Sequence, residues 1–463
     1  MLIFCLAGWF QTAAADEDGG AGIIARLQAG PFKSIREIPP VDGFQRAFEI
    51  LLPQPLDHST PNSPTFHQRI ILQHFDDSRP VVFVTEGYQI NEHRADELSV
   101  IFQANQIRVE HRFFGESVPD SLDWQYLTVR QAAGDHHRIR AVFREIYPQN
   151  EWVSTGISKG GQTALFYRRY YPDDVHATVA YVSPIPKAVE DPRLDEFLET
   201  VGSDSCRRKI NAFQQAVLKQ KDAMLPLLEK WAVENNETFS IGLEAALEYS
   251  VLEYPFSFWQ WGRGNCNFIP RENDDIEMIF NELRKVSGFS LYSDSGIRRY
   301  EPSFYQMMTE LGYYGFIHDH LSQYLTAVPN PSNLIFAPQN SNPVYRPETM
   351  HDISRWLEQE GHRILYVYGE LDTWTGAAVN PAEQVTALKM VKKGGHHRTR
   401  IRSFGREDQD KMISTVRDWL YSGRDSQSGF NRKFLLFNSL FMIAAVVITF
   451  ILVMMKMKRN SSR

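Results

Sequence analysis

The stretch Thr155-Gly156-Ile157-Ser158-Lys159-Gly160-Gly161 places one serine between glycines, after an apolar run and before an amphipathic one. The preceding residues 151–154 predict a short buried strand, and the following residues up to 170 predict a helix. A serine in such a strand-to-helix turn has strained backbone angles, and the glycines two residues away on either side meet the demand for small neighbours. The stretch therefore predicts a nucleophile elbow, although a glycine-rich turn with a capping serine is an alternative.

Short apolar runs and helix-period segments alternate on both sides of this turn. Alternation of this kind is typical of a mostly parallel sheet with helices on both faces, so the sequence predicts an α/β fold of the α/β-hydrolase type. The predicted strands are residues 45–51, 68–72, 81–85, 107–110, 152–154, 179–182 and 364–368, and the longest helical pattern covers residues 128–147.

The alternation stops after Pro186 and resumes at Ile364. Helix-period segments dominate the chain in between, and no convincing strand interrupts them. We therefore expect an inserted helical cap over residues 187–347, which divides the hydrolase core into residues 16–186 and 348–424.

Both ends of the chain carry apolar segments. Residues 1–15 combine a short apolar stretch with small residues, as a secretory signal peptide does. Beyond a short polar stalk at 425–433, residues 434–455 form a nearly unbroken apolar run that is long enough to cross a hydrocarbon core. The basic tail at 456–463 then predicts a single-pass membrane protein, with one transmembrane helix, the folded part outside and the tail in the cytoplasm.

Composition narrows the partners further. A net charge of -7 and a pI near 6.1 provide no basic surface for nucleic acid, which is therefore not expected as a partner. Cys206 and Cys266 are the cysteines left after removal of the signal peptide. In an exported chain these two cysteines favour one disulfide within the cap.

A serine nucleophile needs a histidine that takes its proton and a carboxylate that orients the histidine. On this fold both follow the serine, the acid first. Asp372 lies beyond a predicted strand, further from the strand end than the competing acid Glu370. His396 and His397 follow about one helix and one strand later, and only one of them can face Ser158. The predicted chemistry requires neither a metal nor a cofactor.

The oxyanion hole of this fold uses two backbone N–H groups. One belongs to the residue after the nucleophile, which is Lys159. The other belongs to the loop at residues 85–88, where Tyr88 is the preferred donor because Gly87 lets the backbone approach the substrate. An ordinary strand-to-loop glycine is the alternative interpretation of Gly87.

Three blocks of sequence carry a family resemblance, at residues 110–117, 124–128 and 152–161. They resemble the secreted prolyl tri- and tetrapeptidyl aminopeptidases, which are serine exopeptidases distantly similar to lysosomal prolyl carboxypeptidase. The resemblance covers roughly residues 40–420 and implies release of short N-terminal peptides from oligopeptides, with a preference for proline or small apolar residues. It also implies that His397 is the base. Members of that family are typically soluble, so the predicted anchor is a departure.

An aminopeptidase must hold the free ammonium group of its substrate, which a carboxylate binds more strongly than a neutral acceptor does. The candidates are Glu86 in the oxyanion loop and Glu310 in the cap. Each has an alternative interpretation: Glu86 could brace the loop, and Glu310 could be a solvated charge on a helix face. The aromatic residues 256–261 are a candidate pocket lining. A prolyl carboxypeptidase, an esterase and a catalytically silent adhesion or receptor module are the alternative functions.

Overall fold

The computed structural model of the protein describes residues 17–422, with side chains from residue 22 onward. Within these residues one nine-stranded sheet has the order β1-β2-β3-β5-β4-β6-β7-β8-β9. Its strands are β1 (Ser34–Ile38), β2 (Arg46–Pro55), β3 (Thr65–His74), β4 (Val81–Thr85), β5 (Asn105–Val109), β6 (Trp152–Ile157), β7 (Ala177–Tyr181), β8 (Ile364–Gly369) and β9 (Ala387–Lys392).

The strand directions confirm the predicted mostly parallel sheet. β1, β2 and β3 pair antiparallel, as do β3 and β5, whereas every pair from β5 to β9 is parallel. All residues of β4, β5, β7 and β8 are buried, because helices cover both faces of a parallel sheet and leave no face for polar side chains. This is the α/β-hydrolase fold.

Twelve helices are described around this sheet. They are α1 (Glu17–Gln28), α2 (Glu97–Phe102), α3 (Val129–Ile146), α4 (Lys159–Tyr170), α5 (Pro192–Thr200), α6 (Asp204–Lys219), α7 (Lys221–Asn235), α8 (Leu243–Trp261), α9 (Ile276–Val286), α10 (Asp294–Gln306), α11 (Glu348–Gln359) and α12 (Arg406–Tyr421). α3 begins after Thr128, whose side chain accepts the Gln131 N–H and caps the helix.

Helices make up the long segment between β7 and β8. α5 to α11 lie there, and the described residues show no strand among them beyond an isolated bridge between Glu190 and Tyr313. Cys206 of α6 forms a disulfide with Cys266, with their Cα atoms 5.2 Å apart. The described residues up to Val416 belong to one compact unit, so the division into core and cap at residues 187–347 stays a prediction.

The predicted membrane anchorage needs correction. None of the helices described between residues 17 and 422 is long and apolar enough to cross a bilayer. The segments at 1–15, 425–433, 434–455 and 456–463 lie outside the described residues. The finding overturns the prediction of a single-pass membrane protein, which rested on hydropathy, because hydropathy by itself does not establish a spanning helix.

Candidate active site

Ser158 lies at the junction of β6 and α4, where the sequence predicts a turn. Its backbone angles are φ 57° and ψ -124°, a left-handed conformation that is strained for a serine. The turn is held on both sides: the Ser158 N–H donates to the Tyr181 carbonyl at 2.8 Å, and the Ser158 carbonyl accepts the Gln162 N–H at 2.9 Å. The surrounding structure therefore fixes the strained serine in place.

The glycines around Ser158 are needed for close packing. A Cβ atom on Gly156 would lie 2.2 Å from the Gly160 carbonyl oxygen, and one on Gly160 would lie 2.6 Å from the Thr85 carbonyl oxygen. A Cβ on Gly161 would lie 1.7 Å from Ser183 Oγ. None of the three has a positive φ, so the absent side chain matters here rather than backbone freedom.

Asp372 and His397 lie in hydrogen-bond contact. The Asp372 Oδ2 atom is 2.8 Å from His397 Nδ1, and the two residues are 0% and 4% exposed. Asp372 Oδ1 also accepts the Trp374 N–H at 3.3 Å. A buried carboxylate at Nδ1 favours the tautomer that carries its proton there, which leaves Nε2 free to accept a proton.

The two competing residues lie elsewhere. Glu370 is exposed, and its Oε2 accepts the Gly394 N–H at 2.7 Å, so it braces the loop that leads to the histidines. His396 packs against Gly262, since a Cβ there would be 2.7 Å from the imidazole Cδ2. Burial lowers the pKa of His396.

Helix α8 contacts the histidine from the predicted cap. The His397 N–H donates to the Gln260 carbonyl at 2.8 Å, and the Trp261 ring centroid is 5.1 Å from that of the imidazole. The sequence did not reveal this contact, because nothing in either segment points to the other.

Ser158 and His397 line the same cavity, which has a volume of about 460 Å³. Four aromatic rings form part of its wall. Phe256 stacks on Tyr314 with centroids 3.9 Å apart and meets Trp374 edge-on at 4.9 Å, while Tyr313 lies 4.3 Å from Tyr314. The predicted aromatic lining thus reaches the cavity through Phe256 and Trp261, and other aromatic residues, among them Tyr313, Tyr314 and Trp374, also line it.

The loop after β4 packs directly on the elbow. A Cβ on Gly87 would lie 2.6 Å from Lys159 Cβ and 2.7 Å from the Gly160 nitrogen. The backbone N–H groups of Tyr88 and Lys159 donate to no backbone or side-chain acceptor among the described residues. Two free N–H groups beside Ser158 are what an oxyanion hole requires.

The side chain of Lys159 has a role that the sequence analysis missed. Although the residue is only 4% exposed, its Nζ donates to the Gly87 carbonyl and to Gln306 Oε1, both at 2.7 Å. The Tyr88 and Phe114 ring centroids lie 5.3 Å and 5.2 Å from Nζ. Burial lowers the pKa of Lys159 to about 7. The Lys159 side chain therefore links the loop at residues 85–88 to the turn at Ser158.

The two predicted ammonium-binding residues have different positions. Glu86 lines the cavity and forms an ion pair with the buried Arg108. Glu310 does not line the cavity; its Oε2 accepts the Val129 N–H at 2.8 Å at the start of α3. This corrects the prediction for Glu310, which lies in a π-helical turn whose direction helical periodicity cannot give.

Glu253 of α8 also lines the cavity and was not predicted. It is 4% exposed, and burial raises its pKa to about 7. The available signal in the sequence was a glutamate three residues before the aromatic run at 256–261.

Comparisons with known proteins place these features in a family. Residues 17–421 match the family described as PS-10 peptidase S37. Over 407 residues the chain is 33% identical to a prolyl tri/tetrapeptidyl aminopeptidase of Streptomyces mobaraensis, with 86% of this chain and 85% of the relative covered. A lysosomal Pro-X carboxypeptidase of Bos taurus is 28% identical over 138 residues, or 28% of each chain. A solved proline iminopeptidase of Mycobacterium smegmatis matches 84% of this chain and 100% of its own, at 11% identity and a TM-score of 0.37, which is too low to bear on function.

Proposed function

Because this chain belongs to the peptidase S37 family and is a serine peptidase, we propose that it releases short peptides, tripeptides foremost, from the free amino end of oligopeptides. His397 lines the same cavity as Ser158 and contacts the buried Asp372, and this arrangement is the observation that carries the proposal. The likeness to a tri/tetrapeptidyl aminopeptidase over most of both chains supports the direction of cleavage.

The proposed reaction passes through an acyl-enzyme. Ser158 Oγ attacks the scissile carbonyl while His397 Nε2 takes its proton, and Asp372 stabilises the imidazolium that forms. The N–H groups of Lys159 and Tyr88 stabilise the negative oxygen of the tetrahedral intermediate. His397 then protonates the departing amine, and water hydrolyses the ester on Ser158 by the reverse sequence of proton transfers.

Two further features of the cavity bear on the substrate. The aromatic wall that includes Phe256, Tyr314 and Trp374 offers flat apolar faces, which suit a proline ring or a small apolar side chain before the cleaved bond. We also propose that residues 187–347 act as the cap, since α8 lines the cavity and binds the His397 backbone. A cap of this kind would exclude folded proteins and admit oligopeptides.

Hydrolysis of Ala-Ala-Pro-p-nitroanilide tests the proposal. We expect release of the intact tripeptide together with nitroaniline, and loss of turnover when the amino end is acetylated. Mass spectrometry of the products separates the alternatives. A carboxypeptidase would shorten an acetylated peptide that has a free carboxyl end, and an esterase would leave the peptides intact while cleaving simple acyl esters.

Substitution Gly87→Ala tests the proposed oxyanion hole. The new methyl group would meet Lys159 Cβ at 2.6 Å, so the loop must move away from the elbow and carry the Tyr88 N–H with it. We expect kcat to fall about 10²- to 10³-fold, the usual effect of losing one oxyanion donor. Steady-state kinetics on the tripeptide anilide measures this. A Gly22→Ala variant in α1 is the control, since no atom lies within 4 Å of a Cβ there and its φ is not positive. An unchanged kcat in Gly87→Ala would contradict the assignment.

A further inference from the structure

Three carboxylates line the cavity that contains Ser158, and two of them are already compensated. Glu86 pairs with Arg108. Asp96 accepts the Leu98 N–H at 3.0 Å as the cap of α2 and lies within the electrostatic influence of Arg400. Glu253 has no lysine or arginine partner in the part of the chain that the structure describes.

Hydroxyl groups orient the Glu253 carboxylate without neutralising it. Ser257 Oγ donates to Oε1 and Tyr314 Oη donates to Oε2, both at 2.6 Å. A buried carboxylate without a cation is costly, because hydrogen bonds replace only part of the lost hydration. A positively charged ligand group would supply the missing charge, and the cavity gives it access.

The position of Glu253 on α8 also gives a distance along the helix to the residue that contacts His397. Glu253, Phe256 and Gln260 follow each other at helical spacing, and all three line the cavity. The Gln260 carbonyl holds the His397 N–H, so this face of α8 leads from the free carboxylate to the proposed base. Two helical turns between Glu253 and Gln260 rise about 10 Å, and three extended residues span about 10 Å as well.

We propose that Glu253 binds the terminal ammonium group of the substrate, and that its separation from His397 along α8 sets release at three residues. The inference rests on the proposed function and deepens it. Glu86 then acts as a partner of Arg108 in the cavity wall.

Substitution Glu253→Gln tests the ammonium site on two substrates. Ala-Ala-Pro-p-nitroanilide carries the ammonium group, whereas p-nitrophenyl butyrate has none and reports on Ser158 alone. We expect kcat/KM for the tripeptide to fall about 10- to 100-fold, mainly through KM, since a charged hydrogen bond is lost. Ester hydrolysis should be unchanged, and the melting temperature should not fall, because the variant removes an uncompensated buried charge.

Glu310→Gln is the matched control. It also removes a largely buried carboxylate, but outside the cavity, and its amide oxygen can still accept the Val129 N–H. Both substrates should be turned over at the wild-type rate.

The pH dependence of kcat/KM distinguishes ammonium binding by Glu253 from a merely structural role of this residue. The titratable groups that face Glu253 are the phenols of Tyr292, Tyr313 and Tyr314, whose pKa values burial raises, so they stay neutral. Since burial raises the pKa of Glu253 to about 7, the carboxylate loses its charge as the pH falls through that value. The substrate amine loses its charge above about pH 8. The ratio of tripeptide to ester kcat/KM should therefore peak between these values in the wild type, and Glu253→Gln should lose the acid limb.

The outcomes are distinct. A tripeptide that the wild type cleaves and Glu253→Gln cleaves equally well overturns the ammonium site, as does an equal fall on both substrates. On a longer oligopeptide with a free amino end, release of dipeptides or tetrapeptides in place of tripeptides overturns the length assignment. A wild-type enzyme that leaves the tripeptide anilide intact refutes the proposed function itself, and the site with it.

Discussion

Replacement of Ser158 by alanine is expected to lower kcat for the tripeptide anilide by about 10⁶-fold, the cost of removing the nucleophile from such a triad. The strained turn should survive, because alanine adopts φ 57° no less readily than serine, and the hydrogen bonds at the turn come from the backbone. Kinetics at high enzyme concentration measures the residual rate. Labelling with a fluorophosphonate probe shows whether the wild-type serine is the reactive one.

The control for this variant is Ser154→Ala on β6, the strand that leads to Ser158. Ser154 is fully buried, and its Oγ bonds Thr178 Oγ1 at 2.8 Å, away from the described cavity lining. Its removal should cost stability and leave kcat unchanged. A Ser158→Ala protein that folds and still turns over at the wild-type rate would eliminate Ser158 as nucleophile. That result would favour another serine of the cavity, such as Ser303.

Replacement of Asp372 by asparagine is expected to lower kcat by about 10⁴-fold. The asparagine amide can donate to His397 Nδ1 at the 2.8 Å contact, which would hold the histidine in the tautomer with its proton on Nε2. That tautomer cannot accept the serine proton. Steady-state kinetics and the rate of fluorophosphonate labelling should fall together, because both depend on activation of Ser158.

Glu370→Gln is the matched control for Asp372→Asn, because the sequence offered Glu370 as the alternative acid. Glu370 is exposed and accepts one N–H from Gly394, which an amide oxygen can also accept. We expect nearly wild-type activity. Asp372 is refuted as the orienting acid if Glu370→Gln loses activity and Asp372→Asn retains it.

Much of the hydrolase sheet was predictable from local patterns. The run at 81–85 coincides with β4, and the predicted helix at 128–147 differs from α3 by one residue at each end. Fully buried strands are continuous apolar runs bounded by turn residues, and they need no knowledge of their neighbours. β1 was not predicted, because its residues are mostly exposed at the sheet edge and show little hydrophobic pattern.

The prediction of a membrane span was wrong because it rested on hydropathy alone. Hydropathy records how apolar a segment is, whereas a membrane span also requires a helix, and none of suitable length and apolarity is present in residues 17–422.

The sequence could not show which partners surround each buried carboxylate. Glu310 and Glu253 both lie in helical segments of the predicted cap, yet the Glu310 carboxylate contacts the start of α3 whereas Glu253 lines the cavity. The partners that decide this difference are distant along the chain: Tyr314 is 61 residues from Glu253, and Val129 is 181 residues from Glu310.

The sequence by itself determined the elbow, because its steric requirement is met by glycines within a few residues of Ser158, and it determined the order serine, acid, histidine along the chain. Only the tertiary structure decided that Asp372 rather than Glu370 contacts His397 and that Lys159 is buried against Gly87 and Gln306. It also decided that Glu253 has no lysine or arginine partner among residues 22–422. The physical reason is the separation in sequence over which each interaction acts. Backbone sterics act between neighbours in sequence, whereas burial and electrostatic partnership depend on which distant segments the fold brings together.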